Sequence, residues 1–166
     1  MRIIKLAIIS FIVLFLVVTG ISLFIPSHIR ISKAVDIRAN KETAMGQIKD
    51  VENWKHWYPG ADTLQLFIAD GKAKGLMKDS LNILLLISGS TDSTVLATTA
   101  GSSSRKINMG WNIIPTNDPD KVSVQWYMDF DLSWYPWEKF RSLLFEKIYG
   151  VHMEKGLTNL KNHLEK

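Results

Sequence analysis

The sequence contains no cysteine. This absence excludes disulfide bonds, thiol nucleophiles and cysteine-ligated metal sites. The four histidines show no H-E-x-x-H spacing, and no serine lies in a G-x-S-x-G turn. The sequence therefore predicts no catalytic residue, no metal site and no cofactor. Whether the chain is an enzyme stays open, and a non-enzymatic role is favoured.

Clusters of like charge are also lacking. The formal net charge is +4, and Arg2 and Lys5 supply two of these charges, which leaves about +2 for the rest of the chain. The remaining lysines and arginines are scattered, without a run of five or six. Because a clustered basic face is the usual footprint of nucleic-acid binding, no nucleic acid is expected as a partner.

What the sequence does have is a run of twenty residues without a charge, Leu6 to Ile25. A helix of this length spans about 30 Å, the thickness of the hydrocarbon core of a bilayer. We interpret residues 1–26 as an uncleaved transmembrane anchor and 27–166 as one folded domain. The alternative is a signal peptide, whose apolar region is usually about 7–15 residues long and ends in small residues.

The sequence determines the orientation of this anchor poorly. Arg2 and Lys5 precede the apolar run, and Arg30, Lys33 and Arg38 follow it, so the positive-inside rule nearly cancels. Since a large domain is translocated regardless of nearby charge, a single-pass protein with its domain on the extracytoplasmic side is favoured.

A strict alternation of apolar and polar residues marks the strongest strand. Every even-numbered residue from 122 to 134 is apolar, which predicts a strand with one buried and one solvent-facing side. Pro136 ends this strand and begins a helix that runs nearly to the C-terminus. A bend or break of that helix is expected beside Gly150.

The other elements follow from shorter patterns. Residues 29–37 alternate as a first strand, and Asn40 and Asp50 are predicted to cap two short helices. Five further strands are predicted at 64–68, 73–79, 81–87, 94–100 and 107–113. Turns are predicted at 70–71, 88–90, 101–103 and 115–120. The segment Gly71 to Gly75 is interpreted as a turn, because it lacks the Gly-Lys-Ser/Thr ending of a phosphate loop. Short connections between about seven strands predict an antiparallel sheet.

Three segments resemble a known superfamily: 51–57 (Val-Glu-Asn-Trp-Lys-His-Trp), 135–140 (Tyr-Pro-Trp-Glu-Lys-Phe) with 149–150, and 154–161 (Glu-Lys-Gly-Leu-Thr-Asn-Leu-Lys). They are similar to segments of the START-like or SRPBCC superfamily, which includes lipid-transfer domains and polyketide cyclases. Bacterial polyketide cyclase/dehydrase-like members often carry an N-terminal membrane segment that ends in Pro-Ser, as Pro26-Ser27 does here. The resemblance implies an α+β helix-grip fold, in which the sheet wraps around the long C-terminal helix.

This resemblance also implies an apolar cavity between sheet and helix. The candidate ligand-binding residues are Trp57, Met109, Trp111, Trp126, Met128, Phe130, Leu144 and Ile148. The expected partner is a hydrophobic or amphipathic small molecule, such as a lipid. The competing interpretation is that these side chains are ordinary core. Trp54 and Trp57 are expected to close one end of the sheet, with a place at a pocket mouth or against lipid headgroups as alternatives.

Two other functions stay open. A cyclase- or aromatase-like enzyme would need polar groups inside the cavity, and the alternation places few there. A filled interior would instead indicate an interaction module without a ligand. Asp129 and Asp131 lie about 7 Å apart on the outward face of their strand, and we interpret them as solvated rather than as a catalytic pair.

Overall fold

The computed structural model describes residues 2–79, 82–99 and 106–166. The helices are α1 (Arg2–Ser22), α2 (Lys41–Lys49), α3 (Pro136–Ser142) and α4 (Phe145–Leu164), with short 3₁₀ helices at Val51–His56 and Ala61–Thr63. The strands are β1 (His28–Ile37), β2 (Gln65–Ala69), β3 (Lys72–Asp79), β4 (Asn82–Ser90), β5 (Thr94–Thr99), β6 (Asn108–Pro115) and β7 (Val122–Asp131).

The seven strands form one antiparallel sheet in the order β1-β7-β6-β5-β4-β3-β2. Six of them follow one another as a meander, and β1 pairs with β7 along its whole length, from His28 opposite Asp131 to Ile37 opposite Val122. The first strand therefore lies at one edge of the sheet, next to the last strand in sequence. The predicted helix-grip fold, with a C-terminal helix against an antiparallel sheet, is confirmed.

The two predicted helix starts after β1 are present. The Asn40 side chain accepts a hydrogen bond from the Thr43 backbone N–H at 2.8 Å, and the Asp50 side chain accepts one from Glu52 at 3.0 Å. Each cap satisfies an amide that the first turn of a helix leaves unpaired. Together they place the 3₁₀ helix Val51–His56, with its tryptophans, over the inner face of the sheet.

The C-terminal helix departs from its predicted form. It is interrupted at Leu143 and Leu144, where the backbone makes i to i−3 hydrogen bonds, and it continues without interruption through Gly150. The predicted break at Gly150 is therefore wrong. Gly150 instead allows α4 to approach β1, since a Cβ atom there would lie 3.1 Å from Cε of Lys33.

Three smaller predictions are also corrected. Residues 88–90 belong to β4, and the turn follows at 91–93, where the Thr91 hydroxyl accepts the Thr94 N–H. Within 71–75, the turn is Asp70-Gly71, both with positive φ, and Lys72 to Gly75 lie in β3. Trp134 is exposed, because β7 ends at Asp131. The turn predicted at 101–103 and the strand ends Leu81 and Ala100 lie outside the described residues.

Helix α1 is long and apolar enough to cross a membrane, with 21 residues and a mean hydropathy of 2.7 over its most apolar window. A signal sequence has the same properties. The side chains of α1 are mostly exposed until its last turn, where Ser22 is buried and the helix contacts α3. The helix therefore projects away from the sheet and meets the domain only at its C-terminal end.

A lysine on the inner face of β1 forms ion pairs with two glutamates of α4. The Lys33 ammonium lies 2.6 Å from a carboxylate oxygen of Glu146 and 2.8 Å from one of Glu154, one turn before and one turn after Gly150. These two contacts raise the pKa of Lys33 from 10.5 to about 12, and the hydrogen bond to Glu146 has the larger effect. A raised lysine pKa stabilises the fold below pH 10.5, and this contribution is lost as the pH rises through about 12.

We expect Lys33→Met to remove this pH dependence. Below pH 10.5 the wild type should be the more stable of the two, and the difference should shrink toward zero near pH 12. Urea unfolding followed by circular dichroism over this range measures it. Lys74→Met is the matched control, since Lys74 pairs with Asp70 inside one hairpin and joins no helix to the sheet. A constant difference across the range would contradict the assignment.

Candidate functional site

A cluster of aromatic rings lies between the inner face of the sheet and the helices that cover it. Trp111 of β6 and Trp126 of β7 are direct neighbours in the sheet register, and their ring centroids lie 5.2 Å apart. Trp54, Trp57 and Tyr58 cover them from the 3₁₀ helix, with centroid distances of 5.1 to 6.3 Å. All four tryptophans are fully buried. This end of the interior is therefore lined by indole rings.

The tryptophans of the 3₁₀ helix are anchored by hydrogen bonds. The Trp54 indole N–H donates to the Ile48 carbonyl at 2.8 Å, and that of Trp57 donates to the Gln47 carbonyl at 3.1 Å. Both rings thus tie α2 to the layer beneath it. Because they are buried, they do not contact lipid headgroups, and they lie on the inner face of the sheet against Trp111 and Trp126.

The tryptophans of the sheet differ in this respect. The indole N–H groups of Trp111 and Trp126 are buried and have no hydrogen-bond partner among the described residues. An unpaired buried donor costs about 1–3 kcal/mol. The two unpaired donors belong to neighbouring rings on adjacent strands.

Methionines continue the inner face from the tryptophans toward α3. Met109 and Met128 are register partners on β6 and β7, and Met153 of α4 is fully buried. Beyond them, Phe130 packs against Phe145 at 4.7 Å and Tyr149 at 4.8 Å. Flexible thioether side chains between two aromatic clusters form a wall that adapts to different shapes.

Two of the predicted site residues lie elsewhere. Leu144 and Ile148 are 55% and 52% exposed, on the side of α4 that faces away from the sheet. Their predicted place on the inner face is wrong, because helical spacing shows which residues share a face and not what that face contacts. Phe145, Tyr149 and Met153 take that place. The sequence signal for this buried side of α4 is the helical spacing of five residues, Tyr149, Met153, Leu157, Leu160 and Leu164. The other six, Trp57, Met109, Trp111, Trp126, Met128 and Phe130, are buried together.

Two titratable groups border the tryptophan cluster. Burial raises the pKa of Tyr58 to about 12, so its hydroxyl stays protonated. Burial, with a smaller effect of Lys155, lowers the pKa of His152. The imidazole is therefore neutral at pH 7. Its ring centroid lies 5.6 Å from that of Tyr58 and 5.9 Å from that of Trp126. Spacing in the sequence did not single out His152.

Surface depressions lie outside this interior. One of about 550 Å³ runs between the 3₁₀ helix and strands β2 and β3, with Leu64, Leu66 and Leu76 on its floor and Lys55 and His56 on its rim. Trp57 borders a smaller one of about 260 Å³. The larger depression has the volume of a small-molecule site.

The outward carboxylates form ion pairs. Asp129 accepts two hydrogen bonds of 2.7 Å from the Arg30 guanidinium, and this contact lowers its pKa. Asp131 is exposed and accepts a hydrogen bond from His28 at 2.9 Å if the facing ring nitrogen is protonated. A carboxylate held ionised by a bidentate arginine ties β1 to β7, which is a structural role.

The sequence profile of the polyketide cyclase / dehydrase and lipid transport family matches residues 28–165. The chain therefore belongs to this family, as the resemblance of its sequence motifs predicted. Among curated proteins, none has significant sequence similarity to the chain.

Solved structures share the fold. A START superfamily protein from Mycobacterium smegmatis is 19% identical, with a TM-score of 0.59 over 82% of this chain and 97% of that one. A Thermobifida fusca protein solved by NMR is 17% identical, with a TM-score of 0.62 over 81% and 92%. The Zhui aromatase/cyclase from Streptomyces sp. R1128 is 13% identical, with a TM-score of 0.58 over 83% and 94%. At these identities the likeness concerns the fold alone.

Proposed function

We propose that this chain is a membrane-tethered binding protein for an amphipathic small molecule, held between the sheet and α4 without chemical turnover. The observation that carries the proposal is the pair of buried, unpartnered indole N–H groups of Trp111 and Trp126. A ligand with an oxygen acceptor would satisfy them, and its apolar part would lie along Met109 and Met128. Helix α1 would tether the domain to the membrane.

The chemistry of the interior supports binding over catalysis. The inner-face side chains of β6 and β7 are apolar apart from the two indole donors, which orient a ligand but do not transfer protons readily. The family description includes lipid transport, which agrees with an apolar ligand. A molecule with one polar end and a hydrocarbon body, such as a long-chain fatty acid, has the required chemistry.

Native mass spectrometry of the full chain in detergent is the direct test. We expect a bound small molecule of one mass, or stoichiometric uptake of a fluorescent long-chain fatty acid by the purified protein. Bound water would satisfy the indoles equally well, and in that case neither result would be seen. A protein that carries no ligand and takes up no fatty acid would overturn the proposal.

Removal of a single donor should weaken binding of the fluorescent fatty acid. Trp126→Phe deletes the indole N–H and retains an aromatic ring, so we expect roughly fivefold weaker binding, the loss of one net hydrogen bond of about 1 kcal/mol. Trp134→Phe makes the same chemical change at an exposed position and should leave affinity unchanged. Equal affinities of the two variants would place the ligand elsewhere, and the depression beside Leu66 would be the next site to examine.

A cyclase-type enzyme is a second candidate, and His152 is the observation that favours it. A neutral imidazole beside a protonated Tyr58 hydroxyl offers a proton acceptor and a donor at the edge of the tryptophan cluster. The mass of the bound molecule separates the two functions. An unchanged mass after incubation supports binding, whereas loss of water in the wild type but not in His152→Gln would establish the enzyme.

A further inference from the structure

An exposed apolar surface surrounds the junction of α3 and α4. Six of its side chains, each between 52% and 65% exposed, are Trp134, Trp137, Leu143, Leu144, Ile148 and Val151. We call this surface the junction patch. Soluble domains rarely expose contiguous apolar patches without a partner that covers them. The residues that the sequence suggested for the cavity, Leu144 and Ile148, belong to this patch.

The junction patch is continuous with the end of α1. The buried Lys139 of α3 donates hydrogen bonds to the Ile25 carbonyl at 2.8 Å and to the Ser27 hydroxyl at 2.7 Å. These bonds hold the connection that follows α1 against α3. Leu23 and Phe24, which follow α1 in this connection, are also exposed apolar residues. The position at which α1 leaves the domain and the position of the patch are therefore fixed together.

The composition of the patch matches the interface of a bilayer. The rings of Trp134, Tyr135 and Trp137 follow one another at centroid distances of 4.8 Å, and all three are exposed. Tryptophan and tyrosine are enriched where the hydrocarbon core meets the headgroups, because they combine an apolar body with a polar end. Because α1 contacts α3, these rings lie close to the end of α1. If α1 spans the membrane, they would lie at the depth of the lipid headgroups.

Helix α4 carries both apolar and cationic groups on this side. Leu144, Ile148 and Val151 lie at helical spacing on one stripe, and the exposed Lys147 lies beside them. Arg141 of α3 is also exposed, and neither cation has an ion-pair partner in the described part of the chain. An apolar stripe flanked by unpaired cations is the pattern of an interfacial helix on an anionic membrane.

We propose that the junction patch docks on the lipid bilayer, so that α3 and the first turns of α4 lie in the headgroup region next to α1. This inference rests on the tether in the proposed function and is independent of any ligand in the interior. The occupant is the bilayer itself, as the continuity with α1 and the unpaired cations indicate. A second copy of the chain on the patch would be a different outcome of the test.

Absence of native cysteine makes a site-specific test simple. Val151→Cys and Ile68→Cys each introduce one thiol at an apolar position that is 63% exposed, the first in the patch and the second on β2. Each full-length variant is labelled with an environment-sensitive fluorophore and reconstituted in phosphatidylcholine/phosphatidylserine vesicles that contain brominated lipid. We expect strong quenching of the probe at residue 151 and little at residue 68.

Flotation of the same vesicles separates the two parts of the proposal. If the protein floats but the two probes are quenched equally, the tether stands and the patch proposal fails. If the protein does not float, the tether and the patch proposal both fail. If the probe at residue 151 is shielded from water but not quenched by brominated lipid, and the protein cross-links as a dimer, a second copy covers the patch and the proposal is overturned.

Removal of a positive charge beside the junction patch tests the docking proposal independently. Lys147→Gln should weaken docking on vesicles that contain phosphatidylserine by roughly fivefold, the contribution of one cation near an anionic surface, with no effect on purely zwitterionic vesicles. Leu144→Asp with Ile148→Asp should abolish quenching at residue 151 without a loss of fold stability, because both positions are exposed. Quenching that survives the double substitution would contradict docking through this surface.

Discussion

Trp126→Ala is expected to lower the free energy of unfolding by about 3–5 kcal/mol, the range for deletion of a fully buried large aromatic side chain. Trp126 is fully buried and packs against Trp111, Tyr58 and Trp57 at centroid distances of 5.2, 5.4 and 6.3 Å. Its removal leaves a cavity in the centre of the aromatic cluster. Urea unfolding of the purified full chain, followed by near-ultraviolet circular dichroism, measures this loss.

Trp134→Ala is the matched control for this prediction. Trp134 is exposed, and an exposed side chain usually changes stability by no more than about 0.5 kcal/mol. If both substitutions had the same small effect, the aromatic cluster would not be the core of the fold. A large loss at Trp134 would instead show that its ring is covered in the isolated protein.

Gly156→Ala is expected to lower the free energy of unfolding by about 1–3 kcal/mol through overpacking. A Cβ atom at this position of α4 would lie 2.7 Å from the Trp126 ring and 3.0 Å from Cδ of Pro59. The ring lies between the helix and the sheet and has no free end that moves aside. Helix α4 would therefore be pushed away from β7, and unfolding by urea would begin at a lower concentration.

Gly46→Ala provides the comparison within the same protein. Gly46 lies in α2 with no atom within 4 Å of an added Cβ, so alanine should stabilise the helix by up to about 1 kcal/mol. A double-mutant cycle adds a sharper check. In the Trp126→Ala background the main obstacle is gone, so Gly156→Ala should cost less than in the wild type. Additive effects would show that the two residues do not touch.

The sequence predicted the sheet well because its strands alternate cleanly. Met109, Trp111, Trp126, Met128 and Phe130 all lie on the buried face, as period-two patterning requires. The predicted caps at Asn40 and Asp50 are present because their side chains satisfy local amides a few residues away. Local chemistry and short-range periodicity were sufficient for these elements.

The C-terminal helix could not be predicted in the same way. Trp137, Phe140, Leu144 and Ile148 have ideal helical spacing, yet all four side chains are exposed instead of packed against the sheet. Periodicity reports that residues share a face, but it does not report what that face contacts. An apolar stripe that packs on a protein core has the same spacing as one that is exposed, so the sequence did not distinguish the two.

The pairing of His152 with Tyr58 and Trp126 was also beyond the sequence. These residues belong to the turn after the first 3₁₀ helix, to β7 and to α4, and only the packing of the helices against the sheet brings them together. Likewise, the unpaired indole donors depend on which carbonyl groups lie within reach of each ring. Trp54 and Trp57 find such partners in α2, whereas Trp111 and Trp126 find none among the described residues.

The place of β1 in the sheet also determines when the fold is completed during synthesis. This strand leaves the ribosome before every other strand, yet it pairs with the last one, and His28 and Asp131 are 103 residues apart. At about 5–20 residues per second, its partner emerges roughly 5–20 s later. Through that interval the nascent β1 presents an open row of amide and carbonyl groups, which is a template for aggregation. The pairing of β1 therefore waits until translation is nearly finished.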